Sequence, residues 1–481
     1  MEPKTIAMKV EQIYTSCLAQ GAYYIESRGE AAIIDPLREV QPYIDMARMR
    51  GAKIKYIFET HFHADFVSGH IDLSKKTGAP VIYGPTKMKT GFDSLIAADG
   101  QEFPLGDVKI RLLHTPGHTM ESSCYLLIDE NGKEKAIFTG DTLFIGDVGR
   151  PDLAQHVIAD MTQEKLAGHL YDSLQTKILP LADDIIVYPG HGAGSACGKN
   201  LSKETSDTLG NQKKTNASLR PGLTKEQFIK ELLTGLTPPP GYFPKNVLMN
   251  INGYDSIDEV IRRAMKPLSI AAFEKEIRNA DVLVLDTRDA VDFGAGFIPG
   301  SVNIGITGSF AVWVGTVIPN IEQKLLIVAD KGKEEEVAIR LARVGYDHAI
   351  GYLEGGFEAW KKAGLPVSTI ASVTAEEFAA AESKDPSINI LDVRRKSEFD
   401  SEHIVTAINA PLDYINESML LVDRDKTYYV HCAGGYRSMI FASMLKRMGY
   451  DNLVNVNGGF TAIKASGKFK VTEYVCPTTM L

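Results

Sequence analysis

The sequence predicts a multidomain α/β protein, and three observations lead to this prediction. At 481 residues the chain is too long for a single hydrophobic core and suits two to four domains. Up to about residue 200, short β-rich runs alternate with polar turns. From residue 262 onward the chain repeats itself, and each copy reads strand, loop, strand, helix, strand and helix. That order is typical of a mostly parallel sheet covered by helices.

Composition and charge exclude several classes of partner. Hydrophobic residues make up 44% of the chain and charged residues 23%, as in ordinary soluble proteins, and the net charge of −9 indicates neither a nucleic-acid nor an anionic-membrane partner. No apolar run approaches the roughly 18 residues that span a bilayer, and the N-terminus lacks the apolar region of a secretory signal. The cysteines form no Cys-x-x-Cys pair, so we expect a reducing cytoplasm. They are Cys17, Cys124, Cys197, Cys432 and Cys476.

In the first part of the chain, several β-like runs end in clusters of His, Asp and Gly, as in "IKYIFETH", "VKIRLLHTPGH", "KAIFTGDTLF" and "DIIVYPGH". Loops at strand ends are where active sites are usually assembled. Residues 200–260 differ: "TKEQFIKELLTG" is helix-like, and the Pro-rich "TPPPGYFPKN" is incompatible with regular structure. We therefore predict a first domain over residues 1–255, with a helical tail and a linker.

The second part of the chain contains two similar blocks. The segment 282–304 matches 388–410, and 340–364 matches 444–467. Two α/β domains of related structure are therefore expected, over residues 262–367 and 372–472.

The stretch "ETHFHADFVSGH" begins a set of candidate metal ligands. Four of the six candidates follow a β-like run directly beside Gly or Thr, and the other two come next in the same stretch, which is unusual for structural histidines in a core. The set consists of His61, His63, Asp65, His118 in "TPGHT", Asp141 in "TGDTLF" and His191 in "YPGHG".

These motifs resemble the metallo-β-lactamase superfamily over roughly residues 8–210, which implies an αββα sandwich with metals at the sheet edge. In the hydrolytic members one metal takes the His-x-His pair and the TPGH histidine. The other takes an Asp-His pair and the last His, and the TGD aspartate bridges both. Here the second site would need a histidine at the position of Phe66. Phenylalanine offers no lone pair, and we expect Asp65 and His191 alone to be too few ligands for a two-metal hydrolase.

The remaining donors suit one metal ion. Two imidazoles and one carboxylate form the triad of non-haem Fe(II) oxygenases, with open positions for O₂ and a substrate sulfur. Within the superfamily the persulfide dioxygenases use such a triad, and the resemblance implies mononuclear Fe(II) on His61, His118 and Asp141. His63, Asp65 and His191 would then surround these ligands, orienting them or handling protons.

The loop "GDVGRPDL" (146–153) also resembles the loop of the persulfide dioxygenases. Arg150 is therefore predicted to bind a carboxylate of a glutathione-like thiol, with a solvated or loop-bracing arginine as the equal alternative. Cys197 lies a few residues past His191 and is either a sulfur-relay thiol or a structural cysteine; the role of Cys17 is equally open.

A second candidate site lies in "YYVHCAGGYRS" (428–438). Cys432 follows an apolar strand and precedes a Gly-rich turn and a helix, so successive N–H groups are expected to converge on a thiolate or persulfide. Arg437 adds positive charge for a thiosulfate or sulfite oxygen. The substrate-binding loop between them comprises Ala433, Gly434, Gly435 and Tyr436.

This module resembles a rhodanese domain, with "LDVR" and "VNGGF" in the expected places and "EHIVTA" (402–407) departing from the family's usual turn. The six-residue loop implies sulfur rather than phosphate-ester chemistry. In the first repeat the equivalent loop reads "VADKGKEEE" (328–336), with Asp330 about where Cys432 would fall and three glutamates that repel anions: Glu334, Glu335 and Glu336. We therefore expect an inactive domain that packs against or spaces the others.

Taken together, the chain resembles the bacterial persulfide dioxygenase–rhodanese fusions of sulfide detoxification. The resemblance implies oxidation of a low-molecular-weight thiol persulfide, such as glutathione persulfide, to sulfite and thiol, with sulfane-sulfur transfer between persulfide and thiosulfate at Cys432. The alternatives are a Zn-dependent thioester hydrolase of the glyoxalase II type and a non-catalytic sulfur carrier or sensor. The sequence leaves open the thiol (glutathione, coenzyme A or bacillithiol), the direction of transfer and the oligomeric state, although homo-oligomers are common for such domains.

Overall fold

The computed structural model describes residues 8–153, 161–199, 201–236 and 239–476. The chain divides into two compact units, one formed by residues 1–259 with 342–345 and the other by residues 260–341 with 346–481. Among the helices of the described residues, none has the length and apolar character needed to cross a bilayer.

The first unit contains two six-stranded mixed sheets, each with its strands in sequential order. The first sheet consists of β1 (Lys9–Thr15), β2 (Gln20–Ser27), β3 (Glu30–Ile34), β4 (Lys53–Phe58), β5 (Val81–Tyr83) and β6 (Leu95–Ile96). The second consists of β7 (Glu102–Leu105), β8 (Val108–His114), β9 (Ser123–Ile128), β10 (Glu134–Gly140), β11 (Ile186–Pro189) and β12 (Asp207–Thr208).

The helices of this unit lie mostly between or after the strands. They are α1 (Gln41–Met49), α2 (His70–Thr77), α3 (Gln163–Ser173), α4 (Leu209–Thr215), α5 (Lys225–Leu233), α6 (Phe243–Asn252) and, at the boundary with the second unit, α7 (Ile257–Ala264). The helical tail is confirmed by α5, but the expectation that "TPPPGYFPKN" has no regular structure is wrong at its end. Helix α6 begins at Phe243 with Pro244 in its first turn, where the missing N–H has no intrahelical partner to lose. Residues 237 and 238 of that stretch lie outside the described part of the chain.

Three buried clusters fix the layers of the first unit. One joins residues of both sheets, including Ile25 and Phe58 of the first sheet and Ile110 and Phe138 of the second, so it forms the sandwich interior. The second cluster packs the other face of the second sheet against α3 and α5. The third packs the first sheet against α1. This is the predicted αββα arrangement.

The second unit contains two five-stranded parallel sheets of identical topology. Numbered within each sheet, the strands run in the order first, fifth, fourth, second, third. The strands are β13 (Pro267–Leu268), β14 (Val282–Asp286), β15 (Val302–Asn303), β16 (Lys324–Val328) and β17 (Ala349–Leu353), then β18 (Ala371–Val373), β19 (Asn389–Asp392), β20 (Ile408–Asn409), β21 (Tyr428–His431) and β22 (Leu453–Val456). The internal repeat thus corresponds to a repeated sheet.

Helices alternate with these strands. The helices of the first repeat are α8 (Ile270–Ile277), α9 (Ala290–Ala295), α10 (Phe310–Val317), α11 (Glu334–Arg343) and α12 (Gly356–Lys362). Those of the second are α13 (Ala375–Lys384), α14 (Lys396–Ser401), α15 (Ile415–Ser418), α16 (Tyr436–Arg447) and α17 (Gly459–Ser466).

The shared "LD-x-R" and "GGF" motifs form the same support in both repeats. Arg394 makes a two-pronged pair with Asp392 and lies 3.9 Å above the centre of the Phe460 ring. In the first repeat Arg288 pairs with Asp286 in the same way, 4.2 Å from the ring of Phe357. Because the copy without a cysteine keeps this ion pair and cation–π contact, these motifs serve the fold.

Candidate metal centre and candidate thiol site

The predicted metal triad converges at the ends of three strands. His61 follows β4, His118 follows β8 and Asp141 follows β10, and one potential ligand atom of each lies within 4.8 Å of the others. The Oδ2 atom of Asp141 is 3.4 Å from Nε2 of His118 and 4.0 Å from Nε2 of His61. Metal–ligand bonds of roughly 2.0–2.2 Å require donor separations of about 3–4 Å, so one ion fits between the three side chains.

Hydrogen bonds turn the Nε2 atom of both imidazoles towards this point. Nδ1 of His118 donates to the backbone carbonyl of Arg150 (2.7 Å). Nδ1 of His61 lies 2.9 Å from Oγ1 of Thr60, whose own proton goes to Asp35, so Nδ1 is the donor here too. Burial and the neighbouring imidazoles lower the pKa of His61 well below its ordinary value. A neutral imidazole with a free Nε2 lone pair is the form that binds a metal.

The carboxylate of Asp141 has the environment of a metal ligand. Both of its oxygens are buried, and among the described residues neither accepts a hydrogen bond from an N–H or O–H group. A Cβ atom on Gly190 would lie 2.5 Å from Oδ1 of Asp141, and one on Gly149 would lie 1.8 Å from its backbone carbonyl. An unpaired buried carboxylate is strongly unfavourable without a cation, so these residues fit a bound metal ion.

His63 does not face the triad. Its Nε2 atom lies 3.1 Å from Asp35 and 3.3 Å from Glu59, both fully buried. Burial alone lowers the pKa of His63, but these two carboxylates raise it well above the ordinary value. Asp35 also accepts the hydrogen bonds of Thr60, so His63 is linked to His61 through Asp35 and Thr60. Its predicted role in orienting the ligands or handling protons stays a prediction.

Hydrogen bonds from Asn250 in α6 hold the loop that carries Phe66. The Phe66 ring is fully buried and its centre lies 4.3 Å from that of His63. The side chain of Asn250 donates to the carbonyls of His63 and Phe66, both at 2.8 Å, and accepts from the N–H of Ser68 at 2.9 Å. Sequence reasoning missed Asn250 because it lies about 190 positions from the motif it supports.

The structure adds a potential ligand beside Asp65 and His191, at the place where hydrolytic members of the superfamily hold their second metal ion. Sγ of Cys197 joins Asp65 and His191, and one potential ligand atom of each lies within 4.8 Å of the others. The expectation that only Asp65 and His191 remain there is therefore wrong, because the chain after β11 folds back and brings a cysteine into the position. Burial and the carboxylates of Asp65 and Asp141 raise the pKa of the Cys197 thiol well above its ordinary value.

The guanidinium of Arg150 is buried and contacts neighbouring groups of its own domain. It makes two hydrogen bonds to Asp152, at 2.6 and 2.5 Å, and a third to the carbonyl of Ala196 at 3.2 Å. This geometry braces the loop that orients His118. The role of Arg150 in binding a substrate carboxylate stays a prediction.

The predicted thiol loop joins β21 to α16. The N–H of Gly435 points at Sγ of Cys432 (3.1 Å), and Gly435 has a φ of 103°, a conformation that favours glycine. Arg437 forms a two-pronged ion pair with Glu398, at 2.6 and 2.8 Å. Burial opposes ionisation of Glu398, but the contact with Arg437 holds the pKa of Glu398 below its ordinary value.

The first repeat supports helix α16 from the side. The hydroxyl of Tyr436 donates to the carbonyl of Gly305 (2.7 Å), and a Cβ on Gly308 would lie 2.5 Å from the Tyr436 ring. The N–H of Asn303 donates to Ser443 (3.0 Å) further along the same helix. The first repeat thus packs against the second, as predicted, and it does so at α16, the helix that follows the thiol loop.

In the first repeat, alanine stands where the second has Cys432. β14 pairs Asp286 with Val328, and β19 pairs Asp392 with His431, so the next residues, Ala329 and Cys432, are equivalent. The sequence analysis placed Asp330 at the position of Cys432, which is wrong by one residue. The loop before α11 is one residue longer than the loop before α16, so the two loops cannot be aligned from their helices. Alanine offers no nucleophile for sulfur.

The class of protein is defined by two features. One is a buried His–His–Asp triad that fits a metal ion at the edge of an αββα sandwich, and the other is a pair of parallel-sheet domains of which one carries a cysteine loop. Residues 17–191 match the metallo-beta-lactamase superfamily, and residues 269–363 and 374–466 each match the rhodanese-like domain. The chain therefore consists of a metallo-β-lactamase domain followed by two rhodanese-like domains, as predicted. The three sets of domain boundaries given above stay predictions.

Known proteins are similar to parts of this chain. The hydroxyacylglutathione hydrolase of Rhizobium etli is 36% identical over 165 residues, which are 34% of this chain and 57% of that protein. The cytoplasmic hydroxyacylglutathione hydrolase of Arabidopsis thaliana is 31% identical over 182 residues, or 37% of this chain and 66% of that protein. The chain thus spans less than two thirds of these relatives. The crystal structure of a metallo-beta-lactamase from Staphylococcus aureus subsp. aureus COL is 30% identical, covers 72% of this chain and 99% of its own, and has a TM-score of 0.63.

Proposed function

We propose that the protein is an iron-dependent persulfide dioxygenase with sulfurtransferase activity at Cys432. The observation that supports this most is the convergence of His61, His118 and Asp141, two imidazoles and one carboxylate, in the same chain as a cysteine loop of the rhodanese type. That donor set is the one by which non-haem Fe(II) oxygenases hold iron with open positions. Iron bound there would supply the redox chemistry that O₂ needs to oxidise a sulfur atom.

The side chains around the triad provide the remaining functions. Arg150 and Thr60 fix the orientation of the two imidazoles, and burial of the centre excludes bulk water from a reactive persulfide. Overall, a persulfide anion, O₂ and one water give a thiol, sulfite and a proton. The sulfur–sulfur bond breaks, and sulfite takes two oxygen atoms from O₂ and one from water. His191 and Asp65, next to the triad, are placed to accept the proton released from that water.

At the second site the proposed step is exchange of sulfane sulfur. Sulfite attacks the outer sulfur of a Cys432 persulfide, a new sulfur–sulfur bond forms in thiosulfate, and Cys432 leaves as a thiolate. The N–H of Gly435 stabilises negative charge on Sγ in either direction. Arg437 is held beside the loop by its ion pair with Glu398 and is the cation that we propose for the oxygens of sulfite or thiosulfate.

A second function is favoured by the relatives, which carry the name hydroxyacylglutathione hydrolase. A thioester hydrolase of this kind would use a bridging hydroxide between two metal ions. To separate the two functions, the anaerobically purified protein is given glutathione persulfide in an oxygen electrode and, separately, S-lactoylglutathione in a hydrolysis assay. We expect O₂ consumption and no thioester hydrolysis above background; rapid hydrolysis without O₂ consumption would favour the hydrolase.

The proposal also predicts that the two activities separate genetically. Cys432→Ser removes the only nucleophile proposed for sulfur transfer, so thiosulfate sulfurtransferase activity should fall to background. Persulfide-dependent O₂ uptake should stay within about twofold of the original protein, because the metal ligands are unchanged. Cys124→Ser, a buried cysteine of strand β9, is the matched control and should retain sulfur transfer. Loss of O₂ uptake in Cys432→Ser with iron content unchanged would contradict the division of labour.

A further inference from the structure

We infer that the turn at the end of helix α11, residues 342–345, supports the metal centre of the first domain, and that Arg343 is a positioning residue for that centre. In the sequence this turn lies inside the first rhodanese-like match, residues 269–363, but by its contacts it belongs to the first compact unit. The inference rests on the metal site of the proposed function. It depends neither on which ion is bound there nor on the reaction.

The second repeat contains the same turn in a different environment. The segment "RVGYD" (343–347) aligns with "RMGYD" (447–451). Val344 is fully buried, whereas Met448, at the equivalent position, is 41% exposed. The fold of the repeat thus leaves this turn in solvent in one copy, so its burial in the other copy is a separate feature that needs its own explanation.

The buried turn forms a hydrogen bond with the metal loop, residues 59–70, which carries His61. The backbone carbonyl of Arg343 accepts the N–H of Val67 at 2.7 Å. Asn250 holds the residues on either side of Val67. Since Val67 is fully buried and a buried N–H that loses its acceptor is costly, the metal loop is expected to follow any movement of this carbonyl.

Side chains fix the position of that carbonyl. The guanidinium of Arg343 donates to Glu39 through Nε, at 2.8 Å, and through Nη2, and its Nη1 atom donates to Sγ of Cys17 at 3.2 Å. The guanidinium of Arg38, which is fully buried, donates to the carbonyl of Ala342 at 2.8 Å. The turn is therefore held through both its backbone and its arginine side chain.

The contact with Cys17 leads to a second loop that borders the triad. Cys17 lies in the turn between β1 and β2, and the carbonyl of Ala19 in the same turn accepts from Nδ1 of His191 at 3.2 Å. Nε2 of His191 lies 3.6 Å from Oδ1 of Asp141. Arg343 thus contacts the metal loop through its carbonyl and the turn that orients His191 through its guanidinium, which is the arrangement expected of a positioning residue.

The test measures the affinity of metal-free full-length protein for Co²⁺ by competition with a chelator. The visible absorption that is lost in His118→Ala identifies cobalt bound at the triad. In Arg343→Met, which removes the bonds to Glu39, we expect the dissociation constant to rise roughly tenfold, and by less in Arg343→Lys, which keeps the positive charge. Arg447→Met makes the same change at the equivalent position, where the guanidinium donates to the carbonyl of Gly300, and should leave the affinity unchanged. Equal affinities in the methionine variants, whether weakened or not, would overturn the inference.

A measurement on the unaltered protein covers the case in which Arg343→Met does not fold. If the turn strengthens metal binding, bound metal must hold the turn in place by the same factor. Addition of Co²⁺ should therefore slow amide hydrogen exchange in residues 342–346 roughly tenfold and leave the matching residues 446–450 unchanged. Exchange in 342–346 that ignores Co²⁺ would overturn the inference. Neither experiment uses iron or a persulfide, so failure of this inference and failure of the proposed dioxygenase activity are distinguishable.

Discussion

At the scale of single residues, the metal centre depends on neighbours that have no ligand atom themselves. Gly190 lies directly beside Asp141, and there is no room for a side chain between them. The backbone carbonyl of Arg150 and the hydroxyl of Thr60 hold the two imidazoles. These contacts decide where the ligand atoms meet.

We therefore predict that Gly190→Ala weakens metal binding. Its Cβ would lie 2.5 Å from Oδ1 of Asp141, so the carboxylate must move, although the backbone of Gly190 accepts alanine. Changes next to a metal ligand typically lower affinity roughly 10- to 100-fold, and competition with a chelator measures this directly. Gly241→Ala, where nothing lies within 4 Å of the added atom, is the control. Equal affinities in both variants would contradict the geometry.

The pair between Glu398 and Arg437 makes a pH-dependent contribution to stability. Because Arg437 lowers the pKa of Glu398 below the ordinary 4.5, the pair stabilises the fold above that value and is lost as the pH falls through the lowered pKa. Glu398→Gln should thus lower Tm by a few degrees at pH 7 and by progressively less below about pH 4.5. Glu417→Gln, exposed in α15, should give no such trend. A Tm difference for Glu398→Gln that is independent of pH would refute this assignment.

At the scale of elements, strand ends and a few loops build both sites. The sequence predicted that His61, His118 and Asp141 come together, because each of them ends a β-like run beside Gly or Thr and strand ends meet at a common edge; their role as metal ligands stays a prediction. It could not predict Asn250, which reaches the metal loop from α6 through tertiary packing. It also left the role of Cys197 open, because only the path of the chain after β11 brings that thiol to Asp65 and His191.

The same contrast appears in the second unit. The repeated motifs predicted two similar parallel sheets, and their topologies are identical. The position equivalent to Cys432 was misplaced by one residue, since the length of a loop is not fixed by the strands that flank it. Nothing in the sequence indicated that helix α16 forms hydrogen bonds with the first repeat, and only the structure revealed these contacts.

This contact gives the first repeat a positioning role that is testable through Tyr436. Tyr436→Phe removes one hydrogen bond to Gly305, a loss of about 1 kcal/mol in stability. The value of kcat/KM for sulfur transfer should fall by at most about fivefold, which is reached if the whole loss appears in the transition state. Gly308→Ala should have a larger effect, because its Cβ would lie 2.5 Å from the Tyr436 ring. Tyr474→Phe makes the same chemical change at an exposed position and should leave the rate unchanged. If Gly308→Ala also leaves it unchanged, the first repeat does not position the loop.

At the scale of the whole molecule, one chain joins a metal-binding domain to two rhodanese-like domains, one of which has a cysteine in its loop. The proposed chemistry connects them through their reactants, since sulfite produced by oxidation of a persulfide is the acceptor that converts a cysteine persulfide into thiosulfate. The donor set of the triad favours iron and oxygen chemistry, whereas the names of the relatives favour hydrolysis.

The most direct test of this proposal is persulfide-dependent O₂ uptake by protein purified without oxygen, with metal content determined on the same sample. We predict about one iron per chain, O₂ uptake on addition of glutathione persulfide, and, for each O₂ consumed, one sulfite that is recovered as sulfite or as thiosulfate. Uptake should be lost in His118→Ala together with the iron. A protein that holds two zinc ions and consumes no O₂ with glutathione persulfide would contradict the proposed function.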